Sequence, residues 1–192
     1  MTIDENVALT GTGNAYNGVE MSQSKVTLAS GYNITGTLDG QIGIAQINPG
    51  TLSDVAITNN GTVTLSGKKS TGLALDHGYI TNAGTIEVAN PGISGDGSLG
   101  IFSANDTVTV NNGAINVSGI ESVGIYGAND FVAGTPASYG TRKINITHNN
   151  IITLTDSKNN YGIYLNNTAV PQSESNLVLG SGSKIIRGNN TV

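Results

Sequence analysis

The stretch Thr109-Val-Asn-Asn-Gly-Ala-Ile-Asn-Val-Ser-Gly-Ile-Glu-Ser-Val-Gly-Ile-Tyr-Gly127 sets the pattern of the whole chain. It holds an Asn-Gly turn, a short alternating strand carrying Ile115 and Val117, a polar turn, and a second short strand carrying Val123 and Ile125. Gly and Asn accept the backbone angles of tight turns, and β-branched residues favour extended chain. The turn and first strand return at 60–65 (Asn-Gly-Thr-Val-Thr-Leu), 83–88 (Ala-Gly-Thr-Ile-Glu-Val) and 149–154 (Asn-Asn-Ile-Ile-Thr-Leu). The second strand returns at 72–75, 100–103 and 162–165. A unit repeated at a period of this size is the signature of a solenoid.

Two landmarks set the frame. Residues opening the first strand (Asn6, Gly31, Gly61, Gly84, Gly113, Asn150, Gly182) recur at intervals of 23 to 37 residues, with Gly31 and Gly182 fitting one residue out of register. The glycine of the second strand (Gly18, Gly43, Gly72, Gly100, Gly124, Gly162) marches with them at intervals of 24 to 38. A third short strand follows each second one, at 26–28, 55–57, 79–80, 108–110, 144–146 and 177–179. One such repeat buries too few aliphatic side chains to offset the entropy lost on ordering it. Each strand must therefore find its hydrogen-bond partner in the equivalent strand of the next repeat, which predicts a parallel β-helix. The chain reads as all-β: a single segment over 1–192, with three short strands per coil and six to seven coils.

Alternation turns Val63 and Leu65, Ile86 and Val88, Ile115 and Val117, and Ile152 and Leu154 inward. It also assigns Leu99 and Ile101, Val123 and Ile125, and Tyr161 and Ile163 to the interior. Asn59-Asn60, Asn111-Asn112 and Asn149-Asn150, with Asn82 in line, mark one turn where Asn bonds its own backbone or its stacked copy. The start, Met-Thr-Ile-Asp-Glu-Asn, has no secretory leader pattern, and neither end shows an amphipathic helix or charged strand to cover a sheet edge. The expectation is an excerpt of a longer solenoid.

Composition narrows the function classes. Net charge is −5, with 13 acidic against 8 basic residues, which argues against nucleic acid as a partner because phosphate binding needs a basic face. The absence of Cys excludes a disulfide scaffold and thiolate metal sites. No apolar run approaches the roughly 18 residues needed to span a bilayer, so insertion into a membrane is not expected of this segment. No Gly-X-Ser-X-Gly, P-loop, His-Glu-X-X-His or Ca²⁺ nonapeptide pattern occurs, and no cofactor or metal is expected.

The phrases at 59–67, 82–88, 111–119 and 122–127 (Ser-Val-Gly-Ile-Tyr-Gly) resemble the passenger domains of bacterial autotransporter adhesins of type V secretion, most closely the very large fusobacterial ones. The resemblance covers nearly the whole chain and specifies repeat type rather than activity. It implies a right-handed parallel β-helix displayed at the cell surface, anchored through an outer-membrane translocator barrel that is not part of this sequence. The lack of Cys fits that route, since a passenger crosses a narrow pore unfolded.

Four sets of residues could carry function. Phe102, Tyr126 and Tyr164 each stand two residues after the aligned glycine and point outward as an aromatic column, either stabilising a glycine-weakened strand or presenting a stacking platform. The longest interval, between Gly124 and Gly162, contains an insertion at 129–143 with Phe131, Tyr139, Arg142 and Lys143, and loops on a solenoid carry recognition. Asp106 and Asp130 occupy one turn of adjacent repeats, a spacing that suits a carboxylate pair in a polysaccharide-active enzyme. His77 and His148 read as ordinary turn residues.

The reading these observations favour is a non-enzymatic segment of a surface adhesin, a monomeric stalk that presents loops to a protein or glycan receptor on host or bacterial cells. A polysaccharide-active enzyme or glycan-binding β-helix is the alternative, and a phage tailspike fragment the third.

Overall fold

A computed structural model describes residues 1–10, 18–46, 55–89, 97–129, 143–155, 159–167 and 174–188. Among them are eighteen strands and no helix, so none long and apolar enough to cross a membrane. A seven-stranded sheet stacks the first strands of the repeats: β2 (Val7–Leu9), β5 (Asn33–Gly36), β8 (Thr62–Leu65), β10 (Thr85–Ala89), β12 (Ala114–Ser118), β15 (Ile151–Thr155) and β18 (Lys184–Arg187). An eleven-stranded sheet holds the other two columns. Second strands are β3 (Val19–Met21), β6 (Ile42–Gln46), β13 (Val123–Ala128) and β16 (Tyr161–Asn166). Third strands are β1 (Thr2–Ile3), β4 (Lys25–Leu28), β7 (Ala56–Asn59), β14 (Lys143–His148) and β17 (Glu174–Leu179). Two long strands, β9 (Thr71–Asn82) and β11 (Leu99–Asn111), run through both columns. Every pairing is parallel, always to the equivalent strand of a neighbouring repeat.

The register follows the sequence pattern. Val7, Ile34, Val63, Ile86, Ile115, Ile152 and Ile185 form one inner file of the seven-stranded sheet. Its members from Ile34 to Ile152 are fully buried, as are Leu65, Val88, Val117 and Leu154 within 2%. Asn33 pairs with Thr62 and Ile151 with Lys184, so Tyr32 and Ser183 stand opposite Gly61 and Asn150, rather than Gly31 and Gly182.

Two expectations are corrected. In β9 and β11 the second and third strands are not separate short elements but one strand of 12 or 13 residues. The corner between them is a local kink: His77 (φ 63°) and Gly78 (φ 132°) in β9, Asn105 (φ 29°) and Asp106 (φ 37°) in β11, with the register slipping between Ala104 and Thr107. Positive φ turns the chain without breaking the ladder.

The second correction concerns Tyr161, expected inside and found 52% exposed, with Leu99 only half-buried. The cause is the glycine between each such residue and the next. Gly43, Gly72, Gly100 and Gly124 are buried, and so are Ile44, Leu73, Ile101 and Ile125 directly after them. Two successive inward residues shift the phase of alternation, so Leu99 and Tyr161 before their glycines are partly or largely exposed, whereas Val123, 8% exposed, stays in the interior as expected. A Cβ on Gly100 would stand 2.5 Å from the Gly124 carbonyl oxygen and 2.6 Å from Ile115 Cγ2, and Gly72 and Gly124 have matching surroundings. This corner has room for backbone only.

Candidate functional site

The residues on either side of that glycine corner, with Val123 buried among them, form the candidate site. Leu99, Val123 and Tyr161 lie in one file, paired across β11, β13 and β16. Phe102, Tyr126 and Tyr164 lie in a second file three residues on. The aromatic column expected from the sequence is present as a physical stack. The Phe102 and Tyr126 rings are 5.7 Å apart between centroids and tilted by 49°; those of Tyr126 and Tyr164 are 5.4 Å apart and tilted by 33°. Tyr161 joins it, 5.3 Å from Tyr164 on the same strand. Such separations suit offset or tilted aromatic pairs. Leu99, Val123, Tyr126, Tyr161 and Tyr164 line a groove of 620 Å³ together with Gly97, Glu121 and Asn159.

Buried polar ladders hold this groove in place. Ser70 donates its backbone N–H to Ser98 Oγ (3.1 Å), Ser98 donates to Ser122 Oγ (3.1 Å), and Ser122 donates to Asn160 Oδ1 (2.8 Å). These residues immediately precede Thr71, Leu99, Val123 and Tyr161, so one hydrogen bond per repeat fixes where each second strand starts. At the far side, Asn166 Nδ2 donates to the Tyr126 hydroxyl at 3.4 Å.

No family model, curated protein or solved structure matches the chain. The geometry alone must carry the functional argument.

The other candidates sort differently. Phe131, Tyr139 and Arg142 lie outside the described residues, as does Asp130, the proposed partner of Asp106. Lys143 opens β14, where its backbone N–H donates to Asp106 Oδ1 (2.8 Å) and its Nζ sits 2.9 Å from Glu174 Oε2 on β17. That hydrogen bond to Glu174, and then the attraction of its charge, raise the Lys143 pKa above the usual lysine value. Asp106 also faces His77 of the preceding repeat, read from the sequence as an ordinary turn residue. His77 is 5% exposed, with Nδ1 2.6 Å from Asp76 Oδ1 and Nε2 3.7 Å from Asp106 Oδ2. Asn105 Nδ2 donates to the same Asp76 oxygen at 2.9 Å. This Asp–His–Asp contact ties β9 to β11 at their shared kink. Its two carboxylates approach different ring nitrogens, and among the described residues no three His, Asp or Glu side chains converge as a metal site.

The aligned Asn residues bond to their stacked copies, as expected, and do so as a buried chain. Asn59 Nδ2 donates to Asn82 Oδ1 (2.7 Å), and Asn82 Nδ2 donates to Asn111 Oδ1 (2.7 Å). Asn111 Nδ2 lies 2.9 Å from His148 Nδ1. All four residues are fully buried, so His148 is the last link of this ladder and not an ordinary turn residue. Burial pushes the His148 pKa down, opposed in part by a hydrogen bond with the Lys184 backbone.

Sequence reasoning missed Tyr161, Leu99 and Val123 as groove residues. The signal that could have found them is their shared place directly before the aligned glycine in three successive repeats.

Proposed function

We propose that this chain is a segment of a right-handed parallel β-helix that works as a rigid surface stalk, the passenger portion of an autotransporter adhesin. The observation that supports it is the unbroken inner file from Val7 to Ile185, repeated in parallel register through both sheets. A fold built this way is quasi-one-dimensional: each repeat contacts only its neighbours, length is added without a new core, and side chains stand out along the shaft at regular intervals. Such a body suits holding a contact surface away from a membrane. In this reading the binding capacity lies on the outward face of the second-strand column, where Tyr126, Tyr161 and Tyr164 are displayed, together with the insertion that carries Phe131, Tyr139 and Arg142.

The decisive experiment immobilises the purified chain and measures attachment of host and bacterial cells. The expected outcome is saturable attachment that falls when Tyr161 and Tyr164 are both replaced by Ala while the urea midpoint holds. Absence of attachment to every cell type would overturn this reading, and release of reducing ends from glycans would point instead to a polysaccharide-active β-helix.

A further inference from the structure

We propose that Asn60 is a site of spontaneous chemical modification, its side-chain amide converting to aspartate and isoaspartate through a ring closed with Gly61. The chain supplies its own control. Asn59-Asn60-Gly61 and Asn111-Asn112-Gly113 are the same tripeptide at the same turn of the stack, since Asn59 and Asn111 both pair with Asn82. In each, the second Asn is exposed and the glycine is buried, so local sequence and access to water are alike. What differs is the hydrogen bonding.

At Asn112 the reacting groups are engaged. The Gly113 N–H donates to the Asn82 carbonyl at 2.9 Å, and Asn112 Oδ1 accepts from Asn149 Nδ2 at 2.7 Å. The Asn112 carbonyl also accepts from Asn150 Nδ2 at 2.6 Å. At Asn60 the place that Asn149 has beside Asn112 is taken by Ala83, which has no polar side-chain atom to offer. Among the described residues nothing accepts a hydrogen bond from the Gly61 N–H. The turn before it explains the difference. Leu28 pairs with Asn59 and Asn33 with Thr62, so residues 29–32 stand over Asn60 and Gly61 alone. In that longer turn the Leu28 carbonyl accepts from the Asn60 N–H (2.9 Å) only, whereas the Asn59 and Asn82 carbonyls each accept from two successive N–H groups.

The reaction needs only water. The Gly61 nitrogen gives its proton to solvent and bonds to Asn60 Cγ. The Cγ–Nδ2 bond breaks, and Nδ2 takes up a proton and leaves as ammonia, closing a five-membered succinimide. Water then opens the ring at either carbonyl, which leaves aspartate or isoaspartate. Glycine suits the attacking position because no Cβ crowds its nitrogen. At Asn112 the same step has first to break the Gly113 and Asn149 bonds. Isoaspartate at 60 would lengthen the main chain by one methylene just before Gly61, whose carbonyl accepts the Thr85 N–H at 2.9 Å, and would add a negative charge to the turn.

The test holds the whole chain in mildly alkaline buffer, digests samples at intervals and follows the two Asn-Gly peptides by mass spectrometry, with isoaspartate read by enzymatic methylation. Asn60 is expected to convert about tenfold faster than Asn112, the order of factor that one backbone hydrogen bond supplies. In urea the two rates should converge. Two variants should move the rates in opposite directions: Ala83→Asn, which restores a donor beside Asn60, slows that site, and Asn149→Ala speeds Asn112. Equal rates in the folded chain, a lead for Asn60 that persists undiminished in urea, or rates indifferent to both variants overturns the proposal.

Discussion

At Gly100 a single added methyl group would meet the Gly124 backbone and the Ile115 side chain at once. Neither neighbour can retreat, because each is stacked on its own equivalents. Gly100→Ala is expected to cost about 1–3 kcal/mol, as overpacking of a filled core does. The measurement is a lowered urea midpoint with an unchanged slope. The Asn ladder makes a second residue-scale case. Asn82→Ala would strip a partner from Asn59 and from Asn111, both fully buried, and each unsatisfied group costs about 1–3 kcal/mol. The ladder's last link responds to pH. Protonation of His148 would place an N–H on Nδ1 against the donating Asn111 amide, two donors face to face. Because burial holds its pKa below 6.5 in the folded chain, the unfolded chain takes up the proton first as pH falls. The stability this residue contributes is thus complete above about pH 6.5 and lost below it. His148→Asn would continue the ladder with a group that does not titrate. The difference between variant and parent urea midpoints should therefore grow on moving from neutral pH to about pH 5.

Among the elements, β9 and β11 show how local chemistry decides whether a strand ends. Asn and Asp tolerate left-handed backbone, and at Asn105-Asp106 that tolerance bends β11 without releasing it from its neighbours. Asp106 then serves the following repeat by accepting the Lys143 N–H at the start of β14. Asp106→Ala should loosen that strand start, costing about 1 kcal/mol and raising amide exchange at Lys143 ahead of the rest of β14. The strand content and inner files were legible in the sequence because period-two β-branched runs have one burial solution. Thus Ile86, Ile115 and Ile152 align as expected. Tyr161 was not legible for the same reason: simple alternation carries no sign of two successive inward residues at a glycine. Nor was the His77–Asp106 contact, since it depends on kinks whose lengths differ between repeats.

Taken as a whole molecule, the stack has a middle and two ends of different quality. Residues of β8, β10 and β12 lie between neighbours on both sides, whereas Leu177, Val178 and Leu179 of β17 and Ile185 and Ile186 of β18 are 39–57% exposed. Stability in such arrays is a sum over neighbouring interfaces, so amide exchange should be slowest in β8–β12 and faster toward β17 and β18. Uniform protection along the chain would mean a single cooperative unit instead.

The register has a mechanical corollary. Every inter-strand bond joins one repeat to the next, so tension applied at the two termini loads a terminal repeat first and leaves the others shielded until it yields. Force spectroscopy on a single tethered chain should then show a sawtooth rather than one rupture. Each tooth would release one repeat of about 29 residues, or roughly 100 Å of contour at the reach of an extended backbone. A chain of this kind would dissipate a pulling force gradually, one repeat at a time.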